Sequence, residues 1–203
     1  MTSEEVLVVP RARLFLHGPF HGLRREGLPD YLQAIRAYGV FRRRDLVEDD
    51  PSWKQIIPYL VVRRKHEIFL FRRLDQGEEA RLAGRYSIGV GGHINRSDVE
   101  GAQDPIVAGL RRELCEELSI EGPWRAALLG VLNDDTEPVG QVHFGLVYLV
   151  DVGRSRVSVR EVDRLEGDFV PVDELGKYRE GMESWSRLIL SHPAKILKRI
   201  LTG

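Results

Sequence analysis

Apolar residues fall along this chain in short runs broken by polar, glycine- or proline-marked segments, with stretches of helical spacing between them. Residues 6–9 form a run closed by Pro10, and Leu14-Phe15-Leu16 form a second one ended by His17-Gly18-Pro19, so both predict strands. Leu32, Ala34 and Ile35 supply one face of a helix expected over 31–38, with Asp30 as its cap and Gly39 ending it. Residues 51–55 predict a hinge. The β-rich runs 57–62 and 68–71 flank a polar 63–67 and predict a hairpin. After a polar, exposed segment at 75–84, Tyr86 to Val90 lead into a glycine turn at Gly91-Gly92. Further strands are expected over 126–132, 143–150 and 157–159, the second apolar enough to be buried on both faces. Amphipathic helices are expected over 182–190 and 194–201.

Between the glycine turn and the strand at 126–132 lies a helix whose pattern is unusual. Asp104 precedes Pro105, a good helix start with Asp at the cap and Pro at the first position. At about 100° per residue, Glu113, Glu116 and Glu117 share one arc. Val107, Leu110, Leu114 and Leu118 fill the neighbouring arc, which is expected to face a core. Arg112 stands four residues before Glu116, within pairing reach. Carboxylates this close repel one another, and a hard divalent cation relieves that repulsion, which points to Mg²⁺ or Mn²⁺. Gly109, one turn before Glu113, leaves room for a metal or phosphate, or packs closely against a strand. Cys115 points away from the Glu arc and reads as a packing residue.

Arg112-Glu113-Leu114-Cys115-Glu116-Glu117 after Gly91-Gly92-His93 resembles the Nudix box, G-x5-E-x7-R-E-U-x-E-E-x-G-U with U a bulky aliphatic residue. Counting back from Arg112 puts Asp104 at the first Glu of the box. Eleven residues then separate it from Gly92 where the family has five, an insertion over 95–103 that is expected from its polar composition to be flexible, and Ser119 replaces the last glycine. Residues 54–95 are similar to a bacterial Nudix subgroup described as predicted phosphoesterases. The resemblance implies an α/β/α sandwich with a mixed sheet, here with an N-terminal extension (1–55) before the Nudix domain (56–203) and its C-terminal helices. It further implies hydrolysis of a diphosphate linkage in a nucleoside diphosphate-X or related compound, by water attack on phosphorus. Glu113, Glu116 and Glu117 with the Gly92 carbonyl become the metal ligands, and Arg112 orients the carboxylates. Residues 161–169 resemble the late acidic loop of the family, and Glu116 and Glu117 carry catalysis, together with a later acid for which Glu161 is chosen over Glu166 and Glu137. Arg72, Arg73 and Arg81 are the candidates for phosphate contact.

Composition narrows this without changing it. With 203 residues, 42% of them hydrophobic, the chain is expected to be one domain, or one with an appendage. A net charge of −1 offers no electrostatic case for nucleic acid or an anionic membrane, and no run approaches the twenty apolar residues of a spanning helix. The acidic N-terminus is unlike a signal peptide, and a single cysteine excludes an internal disulfide and suits the cytoplasm. The first quarter is an accessory layer or an element of specificity and homodimer formation. Two alternatives stay open: a non-catalytic Nudix-fold ligand-binding or regulatory module, and a prenyl diphosphate isomerase, which needs a cysteine in the pocket.

Overall fold

The computed structural model describes residues 4–74, 84–99, 104–160, 162–163 and 165–191. The expected segments 75–83 and 194–201 therefore lie outside the described residues. Among the described residues the architecture is mixed α/β, with a large mixed sheet of ten strands and a separate two-stranded one. The chain folds as two compact units, each drawn from separated segments. One holds Met1–Tyr59, Gly91–Arg112 and Gly130–Val147; the other holds Leu60–Val90, Glu113–Leu129 and Tyr148–Gly203.

In the first unit, β1 (Glu5–Pro10) lies between β3 (Val40–Arg43) and the start of β4 (Trp53–Arg64), antiparallel to both, with Val6 opposite Arg42 and Val9 opposite Lys54. Residues 51–55 were expected to be a hinge. Instead Trp53, Lys54 and Gln55 belong to β4, because their backbone pairs with β1 and the Lys54 charge finds a partner in the Asp135 carboxylate. The strand expected at Leu14-Phe15-Leu16 is also absent. Arg11–Leu14 form a single helical turn, α1. A strand would put Leu14 and Leu16 on one face, yet they are 4% and 67% exposed. β2 (Gly22–Arg24) pairs with the end of β9 (Arg125–Asn133). α2 (Leu28–Tyr38) buries Tyr31, Ala34 and Ile35 and ends at Gly39 as its pattern predicts. Its cap is Gly27 in the left-handed region (φ 67°), with Pro29 in the first turn, and Asp30 sits inside the helix.

In the second unit, β4 turns through Lys65 and His66 into β5 (Glu67–Arg73), with Arg64 opposite Glu67. The expected hairpin is present, and Lys65 takes the positive φ (56°) that so short a turn demands. β6 (Tyr86–Ser87) and β12 (Leu165–Pro171) both pair with β5. The stretch 165–169, expected as part of a loop, is thus a strand. A Cβ on Gly167 would stand 2.4 Å from the Phe69 ring, so its lack of a side chain permits the pairing. β7 (Val90–Gly91) pairs with β4. β8 (Leu118–Glu121) and β11 (Arg156–Val159) form the small sheet. A 3₁₀ segment, Val172–Gly181, leads to α5 (Ser184–Ile189), whose N-terminal N–H groups are taken by the Glu183 carboxylate. No helix among the described residues is long and apolar enough to cross a membrane.

Candidate active site

The helix that carries the acidic pattern is α3 (Pro105–Glu117). Asp104 behaves as its sequence position predicts: its Oδ1 accepts the Ile106 N–H at 2.9 Å and its carbonyl accepts that of Ala108 at 3.1 Å. Ile106, Leu110, Leu114 and Leu118 are buried. Val107 is not; it is 45% exposed, because the buried face is rotated toward the Glu side of the helix. That rotation carries Glu113 inward to 8% exposure, with Glu117 half-buried and Glu116 exposed at the edge. Cys115 is exposed and packs in no core, a second correction with the same cause. It lies about 200° around the helix from Glu113, so it does not serve the pocket cysteine that an isomerase needs.

Arg112 is held from the side of the preceding loop. Its Nε donates to Asp98 Oδ1 at 2.8 Å, and its Nη2 donates to Asp98 Oδ2 at 3.2 Å and to the His93 carbonyl at 2.6 Å. The Asp98 side chain is 5% exposed and also accepts the Asn95 N–H at 2.7 Å. This two-oxygen grip on a planar guanidinium fixes the arginine in orientation as well as position. Asp98 was missed by counting back from Arg112. Counting five residues forward from Gly92 reaches it at once, which places the extra residues between Asp98 and Arg112. The stretch after Asn95 is therefore no flexible insertion at its start: Arg96–Val99 form a 3₁₀ turn that presents Asp98. Gly109 is close-packed against this loop. A Cβ there would lie 3.0 Å from Ile94 Cγ1 and 3.3 Å from Asp98 Oδ2. Its missing side chain makes room for the loop. Gly92 itself is half-buried, next to Gly91, whose backbone lies against that of Pro58.

The acidic loop after β9 starts inside the protein, with Asn133 and Asp134 buried and Asp135 half-buried, and emerges at Thr136 and Glu137. Lys54 is fully buried, and its Nζ donates to Asp135 Oδ1 (2.9 Å), the Gly140 carbonyl (2.7 Å) and the His143 carbonyl (3.1 Å). Burial pushes Lys54 down to about 8, against the raising effect of Asp135. Burial would raise Asp135, yet hydrogen bonds from Arg11, Lys54 and Asn133 hold its carboxyl well below the usual carboxylate range.

Other sequence candidates are scattered. Arg72 pairs with Glu166 at 3.1 Å on the exposed edge of β5 and β12. Arg73 follows it, and Glu137 is exposed before α4 (Pro138–Val142). Arg81 and Glu161 lie outside the described residues. The residue before Glu161 is placed: Arg160 N donates to the Glu117 carbonyl at 2.9 Å and its Nε donates to that of Leu118 at 3.3 Å. Among the described residues no three His, Cys, Asp or Glu side chains converge as a ready metal cluster.

No family profile matches the chain. Protein YmaB of Bacillus subtilis (strain 168) is 36% identical over 201 residues, spanning 93% of this chain and 96% of that protein. The crystal structure of Tm1382, a candidate Nudix hydrolase, is 30% identical, with a TM-score of 0.79 over 97% of this chain and all of that one. The NUDIX domain of Shewanella oneidensis NrtR, complexed with ADP ribose, shares the fold at 13% identity and a TM-score of 0.50, over 70% of this chain and 86% of that domain. With the carboxylate-bearing helix, the preceding glycine loop and a full-length likeness at this identity, the chain belongs to the Nudix hydrolase family.

Proposed function

We propose that the protein is a divalent-cation-dependent hydrolase of a diphosphate linkage in a small molecule, a nucleoside diphosphate-X or a related compound, acting in the cytoplasm. The observation that carries this reading is α3 itself, with Glu113 turned inward beside Glu116 and Glu117 while Arg112 is fixed by Asp98. The donors are all carboxylate oxygens, the chemistry of a Mg²⁺ or Mn²⁺ site and a poor match to a softer metal. When bound, such an ion screens the diphosphate charge and acidifies the attacking water. Glu113, Glu116 and Glu117 would hold it, joined in the family pattern by the Gly92 carbonyl. Arg112 sets the first turn of that carboxylate segment.

A carboxylate oxygen must also take the proton from the attacking water. Glu161 is our choice, supported by the hydrogen bonds with which Arg160 binds the carbonyls of Glu117, the last residue of α3, and Leu118, the first of β8. Glu166 is engaged with Arg72 and Glu137 faces solvent. Arg72 and Arg73 on β5 are the proposed phosphate contacts. Screening a library of diphosphates for released phosphate or nucleoside monophosphate, with ADP-ribose as the first probe, tests the reading. Glu116→Gln or Glu117→Gln should lower kcat about a hundredfold or more, and EDTA should abolish turnover. Full activity in EDTA would overturn the metal requirement. No loss in Glu161→Gln would leave the helix carboxylates as the base.

A further inference from the structure

A directed chain of hydrogen bonds in the first unit is left unused by the hydrolase reading. His143 opens β10 (His143–Asp151). Its Nδ1 lies 2.7 Å from the Val139 carbonyl oxygen. A carbonyl only accepts, so Nδ1 carries the proton, and in the neutral form of the ring Nε2 is an acceptor. That Nε2 is 3.3 Å from Nε2 of His93, which must then be the donor. The geometry thus assigns both tautomers: Nδ1–H for His143 and Nε2–H for His93.

Both ends of this link are anchored. On one side, Lys54 spends its three N–H donors on Asp135, on the carbonyl of Gly140, which directly follows Val139, and on the carbonyl of His143 itself. Asp135 is held in turn by Arg11 and Asn133. On the other side, the His93 carbonyl accepts Arg112 Nη2. Ile94, the next residue, accepts the Leu7 N–H at 2.8 Å through its own carbonyl. His93 is therefore gripped by its ring from β10 and by its carbonyl from α3.

We propose that His143 is a positioning residue: its Nε2 holds the His93 ring, and with it the His93 carbonyl that anchors Arg112 at the start of the carboxylate segment, while Lys54 fixes the turn that orients His143. The catalytic consequence rests on the hydrolase reading of α3; the positioning itself does not. His143 would touch neither substrate nor metal in this role.

Nuclear magnetic resonance of the ¹⁵N-labelled full chain at neutral pH tests it. Long-range ¹H–¹⁵N correlations should show His143 as Nδ1–H and His93 as Nε2–H, with the Arg112 Nε–H protected from solvent exchange. In His143→Leu the His93 ring should relax to a tautomer mixture and Arg112 Nε–H exchange should speed up about tenfold or more. His143→Phe keeps the ring volume and serves the same purpose if the leucine variant does not fold. His143→Gln, whose amide oxygen accepts the same hydrogen bond, should restore both signals. On ADP-ribose with Mg²⁺, kcat should fall about tenfold in His143→Leu with KM within about twofold, and recover in His143→Gln. A wild-type His93 in the Nδ1–H form, or an unchanged Arg112 signal in a folded His143→Leu or His143→Phe, overturns the proposal. If the wild type cleaves no diphosphate, the hydrolase reading fails, and the tautomer and exchange measurements still decide the positioning role.

Discussion

A lysine without solvent contact, two aspartates six residues apart and a glycine inside a helix account for much of what is specific here. Lys54 is charged at neutral pH although fully buried, since its three donors meet three acceptors. Its folded value of about 8 lies below the ordinary 10.5, so between those values the unfolded chain holds a proton that the folded chain has released. The unfavourable contribution of burying the charge is then fully present below about pH 8 and relieved as pH rises toward 10.5. Denaturant unfolding across that window should show wild-type stability rising relative to Lys54→Met, by up to about 3 kcal/mol. A constant difference between the two proteins would contradict it. The aspartates divide two roles that motif counting merges. Asp104→Ala removes a helix cap and should lower stability by about 1 kcal/mol, with Mg²⁺ affinity nearly unchanged in a calorimetric titration. Asp98→Asn loosens Arg112 and should lower kcat about tenfold or more in a protein that remains folded by circular dichroism.

At the scale of elements, α3 shows how a helix is read correctly in extent and wrongly in rotation. Its start and its acidic arc follow from local chemistry, because Asp-Pro and the spacing of Glu113, Glu116 and Glu117 are properties of the strand of residues itself. Which flank of the apolar arc is buried depends on what lies against it. The loop carrying Ile94 and Asp98 packs on Gly109, and this turns Glu113 inward and leaves Val107 and Cys115 outside. Gly109→Ala gains about 1 kcal/mol of helix propensity. It also forces a methyl to 3.0 Å from the fully buried Ile94 and toward an Asp98 clamped by Arg112. Overpacking of this kind costs about 1–3 kcal/mol, so the expected net effect is a lower melting temperature. A more stable variant would show that the loop can yield. The same dependence on neighbours explains the single turn α1 and the strand β12, which pairs with β5 although 165–169 looks like an acidic loop.

At the scale of the whole molecule, the two units are each built from three separated stretches of chain. In the first, Phe15 and Phe20 from the N-terminal segment and Tyr31 from α2 surround Phe144 of β10, with centroid separations of 5.8, 6.2 and 5.6 Å. Phe144 is fully buried, so Phe144→Ala should cost about 3–5 kcal/mol in chemical denaturation. A loss below about 0.5 kcal/mol, the range of exposed substitutions, would mean that these rings do not hold the segment. The family likeness belongs to this scale too, since it extends over nearly the full chain of Tm1382 and of YmaB.

By itself the sequence determined the features set by neighbours in the chain: the alternation of strands and helices, the hairpin at Lys65-His66, the cap at Asp104, and the box from Arg112 to Glu117 that carries the family. These depend on backbone preference, periodicity and spacing, all of which are local. Only the tertiary structure decided which charges are inside and what holds them. Lys54, read as part of a hinge, became buried because Asp135 and two carbonyls eighty or more residues away accept hydrogen bonds from its ammonium group. Asp98 emerged as the partner of Arg112 because a stretch of variable length lies between them, and a count along the chain cannot say on which side of an aspartate the extra residues fall. The His93–His143 link joins residues fifty positions apart, and no spacing rule relates them. Hydrogen bonds between distant segments are chosen by the packing that brings them together, and that information exists only once the chain has folded.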